Sequence, residues 1–185
     1  MAMRNVFLGV MVAFVSLGVL VTEAMSREVR FRSKYSGSGM SAYPDPNHDG
    51  IRAGTGVLGC ISTLGRCTAQ GVGEAVYTGP ATCPNGYPGI GLELIPGTGH
   101  GFTRFEKGDL LFSELVSETV CYDPSARMHF KSGTGKYTGG TGRFAGATGE
   151  YQFEGTQWVL YLDAEANGFA AQEGRITGIV ILSDD

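Results

Sequence analysis

Charge is scarce in this chain. Asp, Glu, Lys and Arg make up 17% of its 185 residues, against roughly a quarter in an average globular protein. So little charge excludes a coiled coil, and a formal net charge of -4 with a pI near 5.4 argues against a nucleic-acid partner, which wants a basic stripe. Histidine is rare too: His48, His100 and His129 are the three, and none has a carboxylate or Cys at ligand spacing. No C-x2-C pair exists to hold zinc, no G-x-S-x-G elbow to carry a serine nucleophile, and no Asn-x-Ser/Thr acceptor to carry a glycan. Gly54 to Gly59 spells G-x-G-x-x-G, but no helix follows to receive a pyrophosphate. Neither a metal nor a nucleotide cofactor is implied.

Long apolar runs are limited to one. Val6 to Val21 is an uncharged stretch of 16 residues behind Arg4, shorter than the roughly 20 that span a bilayer. Small residues at Ala24 and Ser26 then suit a cleavage site. Residues 1–26 therefore read as a signal peptide with a mature start near Arg27, and cleavage after Ala24 fits nearly as well. The expected product is secreted or periplasmic, with no membrane contact after cleavage.

What is plentiful is glycine, with 30 residues, alongside 10 Phe and 8 Tyr. From Arg27 onward, short apolar runs and alternation are punctuated by Gly, Pro, Asn and Asp, and no stretch sustains a helical period. The reading is all-β, one domain over 27–185. Candidate strands are Glu28–Arg32, Gly71–Tyr77, Ile90–Ile95, Gly101–Glu106, Leu110–Tyr122, Met128–Lys131, Glu150–Leu162 and Arg175–Leu182. Within 27–59, the stretch Ser33 to Gly59 reads as a long surface loop or arm, and 60–185 holds the remainder of the domain. Composition does not separate a barrel from a sandwich.

Four cysteines in an exported chain point to disulfides, and three pairings are open. A two-residue turn at Thr63-Leu64 places Cys60 opposite Cys67 on a hairpin, which leaves Cys83 to join Cys121.

Binding and chemistry have few candidates. Glu114 and Glu118 sit at even spacing from Phe112, Val116 and Val120, so strict alternation puts all five on one face of a strand. If that face is the lumen, Phe112, Val116 and also Trp158 line a ligand, and the two carboxylates with His129 become candidates for acid–base work. If it faces solvent, they are surface groups. Asp45, Asn47 and Asp49 match the first half of a calcium loop, but position twelve falls on Gly56, where a carboxylate is needed.

The most specific feature is a seven-residue repetition between Gly133 and Phe153. Thr-Gly recurs with a charge and an aromatic after it, ending in Tyr137, Phe144 and Tyr151. It reads as a strand end, a tight Gly turn and a strand start, with the three aromatics pinned to the core.

Within it, Gly139-Gly140-Thr141-Gly142-Arg143-Phe144-Ala145-Gly146-Ala147-Thr148-Gly149 resembles the G-G-x-G-x-F-x-G-A-x-G hairpin of allene oxide cyclases, and dirigent proteins carry a related form. The match covers about eleven residues, with looser similarity from roughly Ile90 to the C-terminus, and secreted members with a Cys pair placed like Cys83 and Cys121 are the most similar. The resemblance implies an antiparallel eight-stranded barrel around an apolar cavity, commonly a trimer. It brings no alignable catalytic set. Three functions follow in order: a barrel that binds a small apolar ligand, a structural or surface-interaction domain, and an isomerase or cyclase that steers a reactive lipid or phenolic substrate.

Overall fold

The computed structural model describes residues 26–42, 51–164 and 167–183. The segment up to Met25, read from the sequence as a signal peptide, and the calcium candidates Asp45, Asn47 and Asp49 lie outside the described residues. Nine strands follow one another: β1 (Ser26–Ala42), β2 (Ile51–Ser62), β3 (Gly65–Thr82), β4 (Pro88–Leu94), β5 (His100–Phe105), β6 (Leu110–Asp123), β7 (Met128–Gly140), β8 (Thr148–Leu162) and β9 (Gly168–Ser183). A single 3-10 turn, Gly142–Phe144, lies between β7 and β8.

Every pairing is antiparallel and the sheet closes on itself. The order runs β2-β1-β9-β8-β7-β6-β4-β3, and β3 pairs back onto β2. Strands β4 and β5 share one position in this ring. Residues 67–72 of β3 pair with β5 and residues 75–82 with β4, and β6 meets the same two strands at successive heights. Eight strand positions therefore enclose one interior, and no long strand is left with an unpaired edge among the described residues.

The ring corrects the reading of Ser33 to Gly59 as a loop. Strand β1 continues to Ala42, and β2, absent from the sequence-based set, begins at Ile51. Ser33 to Ala42 pairs residue by residue with Ala53 to Ser62. Glycine misled the assignment because here it serves contact and not turning. A Cβ on Gly37 would run into Val57 O and lie 2.9 Å from Leu58 Cα, so the bare backbone lets β1 and β2 approach. Other boundaries move outward as well: β3 covers 65–82 and β7 reaches Gly140.

One end of the ring is packed shut. Phe31, Phe105, Leu111, Tyr137, Phe144 and Tyr151, with Ala147, Val180 and Cys67, form one buried cluster there. The Gly-rich hairpin supplies its centre. Phe144 is fully buried and lies 4.8 Å from the Phe105 ring, while the Arg143 guanidinium covers both rings at 4.7 and 4.9 Å. Positive φ at Gly142 (56°) and Gly146 (65°) turns the chain on either side, a conformation glycine adopts without strain. Thr141 Oγ1 accepts from the Leu110 amide and the Thr141 amide donates to Leu110 O, locking the turn to the start of β6. The seven-residue repetition thus maps onto β7, the 3-10 turn and β8, with all three aromatics buried.

Both disulfides are formed as the spacing implies. Cys60 faces Cys67 in register beside the Thr63-Leu64 turn, with Cα atoms 4.9 Å apart. Cys83 and Cys121 stand 5.5 Å apart and tie the β3–β4 connection to β6. Such bonds persist in oxidising compartments, which is compatible with an extracellular or periplasmic location.

Candidate functional site

Above the aromatic plug the ring holds a cavity of about 370 Å³. Its walls are mostly apolar: Leu92, Val120, Phe153, Val159 and Ile176 line it, with Phe31 and Tyr137 at the plug. Pockets of this size and character suit a small ligand.

Room for the rings that shape it comes from glycines on the facing strands. Gly133 pairs with Phe153 and Gly135 with Tyr151. A Cβ on Gly133 would lie 2.7 Å from Phe153 Cε1, and one on Gly135 would collide with the Tyr151 ring. Tyr35 is seated in the same way across Gly155 and Gly174, and its hydroxyl donates to Glu154 O at 3.4 Å. These glycines are therefore packing residues of the lumen wall.

Strand β6 does not keep its alternation. Leu115 pairs with Gly135 and Ser117 with Thr134, so Val116 is an extra residue, a β-bulge. Below the bulge the odd residues face inward; above it the even ones do. Ser113 and Leu115 line the cavity, and so do Glu118, Val120 and Tyr122. The expectation that Phe112, Glu114, Val116, Glu118 and Val120 share a face is thereby corrected. Phe112 and Val116 point outward, 38% and 55% exposed, and Glu114 is ion-paired outside with Lys136 at 3.2 Å. Trp158 is corrected as well. On β8 the inward positions include Tyr151, Phe153, Gln157 and Val159, and the alternation leaves Trp158 on the outer side.

Glu118 and His129 remain as sequence candidates inside the cavity, joined by groups that the sequence reading did not select. Lys131 reaches Glu118 at 3.9 Å. His129 stands opposite Tyr122 in register, with ring centroids 4.6 Å apart. Burial, reinforced by the charges of Lys131 and Arg52, pushes the His129 imidazole down to about 3, so the ring is neutral near pH 7. Its Nδ1 is buried with no hydrogen-bond partner among the described residues.

Three interior phenols are also held neutral. Burial, then the charges of Glu118 and Glu154, pushes Tyr35 up to about 12. Burial pushes Tyr151 up to about 12 despite its hydrogen bond with Ser113, and pushes Tyr137 up as well. Chemically, the cavity offers largely apolar walls, the Glu118–Lys131 pair, the neutral His129 imidazole and the phenols of Tyr35, Tyr137 and Tyr151, with Arg52, Glu74 and His100 also among its lining. Lys131 carried a legible signal, since it follows His129 by two residues on one strand. Tyr35 did not, because β1 was not read beyond Arg32.

No family model matches the chain, and no curated relative matches it. Among solved structures, a chain from the crystal structure of MucB in complex with MucA(peri) aligns over 80% of this chain and 88% of that chain, at 9% identity and a TM-score of 0.15, which supports no assignment.

Proposed function

We propose that this chain is an exported barrel of the allene oxide cyclase-like type that holds a small apolar ligand in its lumen. The observation that carries the reading is the cavity of about 370 Å³ inside the ring, with walls supplied mainly by Leu92, Val120, Phe153, Val159 and Ile176. The G-G-x-G-x-F-x-G-A-x-G hairpin and the closed ring of eight antiparallel positions support the family reading together. A signal peptide over 1–26 and two disulfides support export.

Native mass spectrometry of the protein from its own exported fraction tests this reading. A retained apolar small molecule is expected, and Val120→Trp, which fills the lumen, is expected to lose it. A ligand-free protein that also takes up nothing when challenged with apolar probes overturns it.

A second reading is a cyclase or isomerase acting in the same cavity, favoured by the Glu118–Lys131 pair on the lumen wall. It predicts turnover abolished by Glu118→Gln and untouched by Glu114→Gln. A structural role through the outer face is favoured by Val57 and Ile61, exposed on the outer side of β2. We propose that this surface packs the homotrimer, which the same mass spectrum reports as subunit number.

A further inference from the structure

Among the described residues, one buried side-chain atom of the lumen-lining groups has no hydrogen-bond partner. Lys131 is engaged by Glu118. Gln172 Nε2 donates to Ser38 O at 3.0 Å, Tyr35 to Glu154 O, and Tyr151 is hydrogen-bonded with Ser113. His129 differs: its ring lines the cavity and packs on Tyr122, and its buried Nδ1 has no partner among the described residues. Leaving a buried nitrogen unpaired is costly, so a ligand that pairs it gains affinity.

We infer that the lumen's ligand is an apolar molecule bearing one neutral hydroxyl, and that the hydroxyl pairs with His129 Nδ1. This rests on the lumen-binding reading. A hydroxyl suits the site because it both donates and accepts, and so satisfies Nδ1 in either neutral tautomer of the ring. A carboxylate only accepts, and so satisfies Nδ1 only in the tautomer that carries the proton there. A pure hydrocarbon fills the cavity and leaves the nitrogen unpaired.

The experiment is competition against a fluorescent lumen probe, N-phenyl-1-naphthylamine, by three chains of equal length: 1-decanol, 1-chlorodecane and decanoate. The full mature protein should prefer decanol over chlorodecane by about tenfold, the ratio expected for one recovered hydrogen bond. In His129→Phe, which keeps an aromatic ring and removes both nitrogens, the ratio should fall to near one while chlorodecane affinity holds. The ligand-free variant should also melt at a higher temperature, since the unpaired atom is gone. Equal binding of decanol and chlorodecane by the wild type overturns the inference while leaving lumen binding intact, and so does a preference for decanoate. Failure of the probe and all three competitors to bind overturns lumen binding itself, and the inference with it. The wild-type ranking decides the matter even if the variant does not fold.

Discussion

Glu114 and Glu118, four residues apart on one strand, lie on opposite sides of it. Glu114 meets Lys136 on the outside and Glu118 meets Lys131 on the inside, because Val116 inserts one unpaired residue between them. Even spacing on a strand ordinarily means a shared face. A single bulge cancels that rule and decides which carboxylate belongs to the lumen.

The two ion pairs should respond differently to truncation. Glu114→Ala removes a partly exposed pair and is expected to cost under about 1 kcal/mol. Glu118→Ala leaves Lys131, whose side chain is 27% exposed, without its partner inside the ring, and is expected to cost about 2–3 kcal/mol. Urea unfolding of both variants checks the order, and equal losses would place Glu118 at the surface.

Deleting Val116 should remove the bulge and leave every residue beyond it on its present face, because Ser117 then follows Leu115 directly and the alternation runs unbroken. Glu118, Val120 and Tyr122 stay inward, so probe uptake and cooperative unfolding are expected to persist. A deletion variant that loses uptake would show that Val116 is not the extra residue of the strand.

Acid should destabilise the fold through His129. Its folded pKa of about 3 lies below the ordinary 6.5, so the unfolded chain takes up the proton first. Stability is therefore complete above about pH 6.5 and falls as the pH drops toward about 3, at up to about 1.4 kcal/mol per unit. Asp123 acts lower on the scale. Hydrogen bonds from Ser125 and Asn85 hold its carboxyl below the usual range, and that contribution is lost only as the pH falls through the folded value. Urea midpoints from pH 7 to 4 should slope steeply in the wild type and weakly in His129→Phe, and parallel slopes would contradict the desolvated imidazole.

The two disulfides should be unequal in stability. Cys83–Cys121 spans 38 positions and Cys60–Cys67 spans 7. On the chain-entropy account the longer loop contributes about 4 kcal/mol and the shorter about 2.5 kcal/mol. Paired Cys→Ser variants, compared by denaturant midpoint, should rank in that order.

Phe144→Ala should cost about 3–5 kcal/mol, because a fully buried ring between Phe105 and Arg143 leaves a cavity in the plug. Thermal melting reads this directly, and a shift of only a degree or two would mean that the plug collapses around the gap.

The hairpin was legible because its requirement is local. Gly142 and Gly146 are placed for positive φ, and Phe144 is the one large apolar side chain between them. The Thr63-Leu64 turn with its flanking cysteines was legible for the same reason. Strand β2 was not, since Gly54, Gly56 and Gly59 spell a loop to any propensity scale, and only the register with β1 and β3 on either side makes them strand residues. The inward turn of Glu118 was hidden because a bulge is a property of two strands in register, and Val116 by itself looks like any other strand residue. Trp158 was misplaced by size: a large ring suggests an interior, yet position parity on β8 sets its side.

The pairing of β1 with β9 links residues 26–41 to residues 168–183, the first and last strands described. A chain that emerges from its N-terminus must hold β1 without this neighbour until β9 has arrived. Closure is thus a late event that waits for β9. Until then the open sheet has two free edges, and the time spent in that state determines how much of the protein is lost to intermolecular strand pairing before it matures.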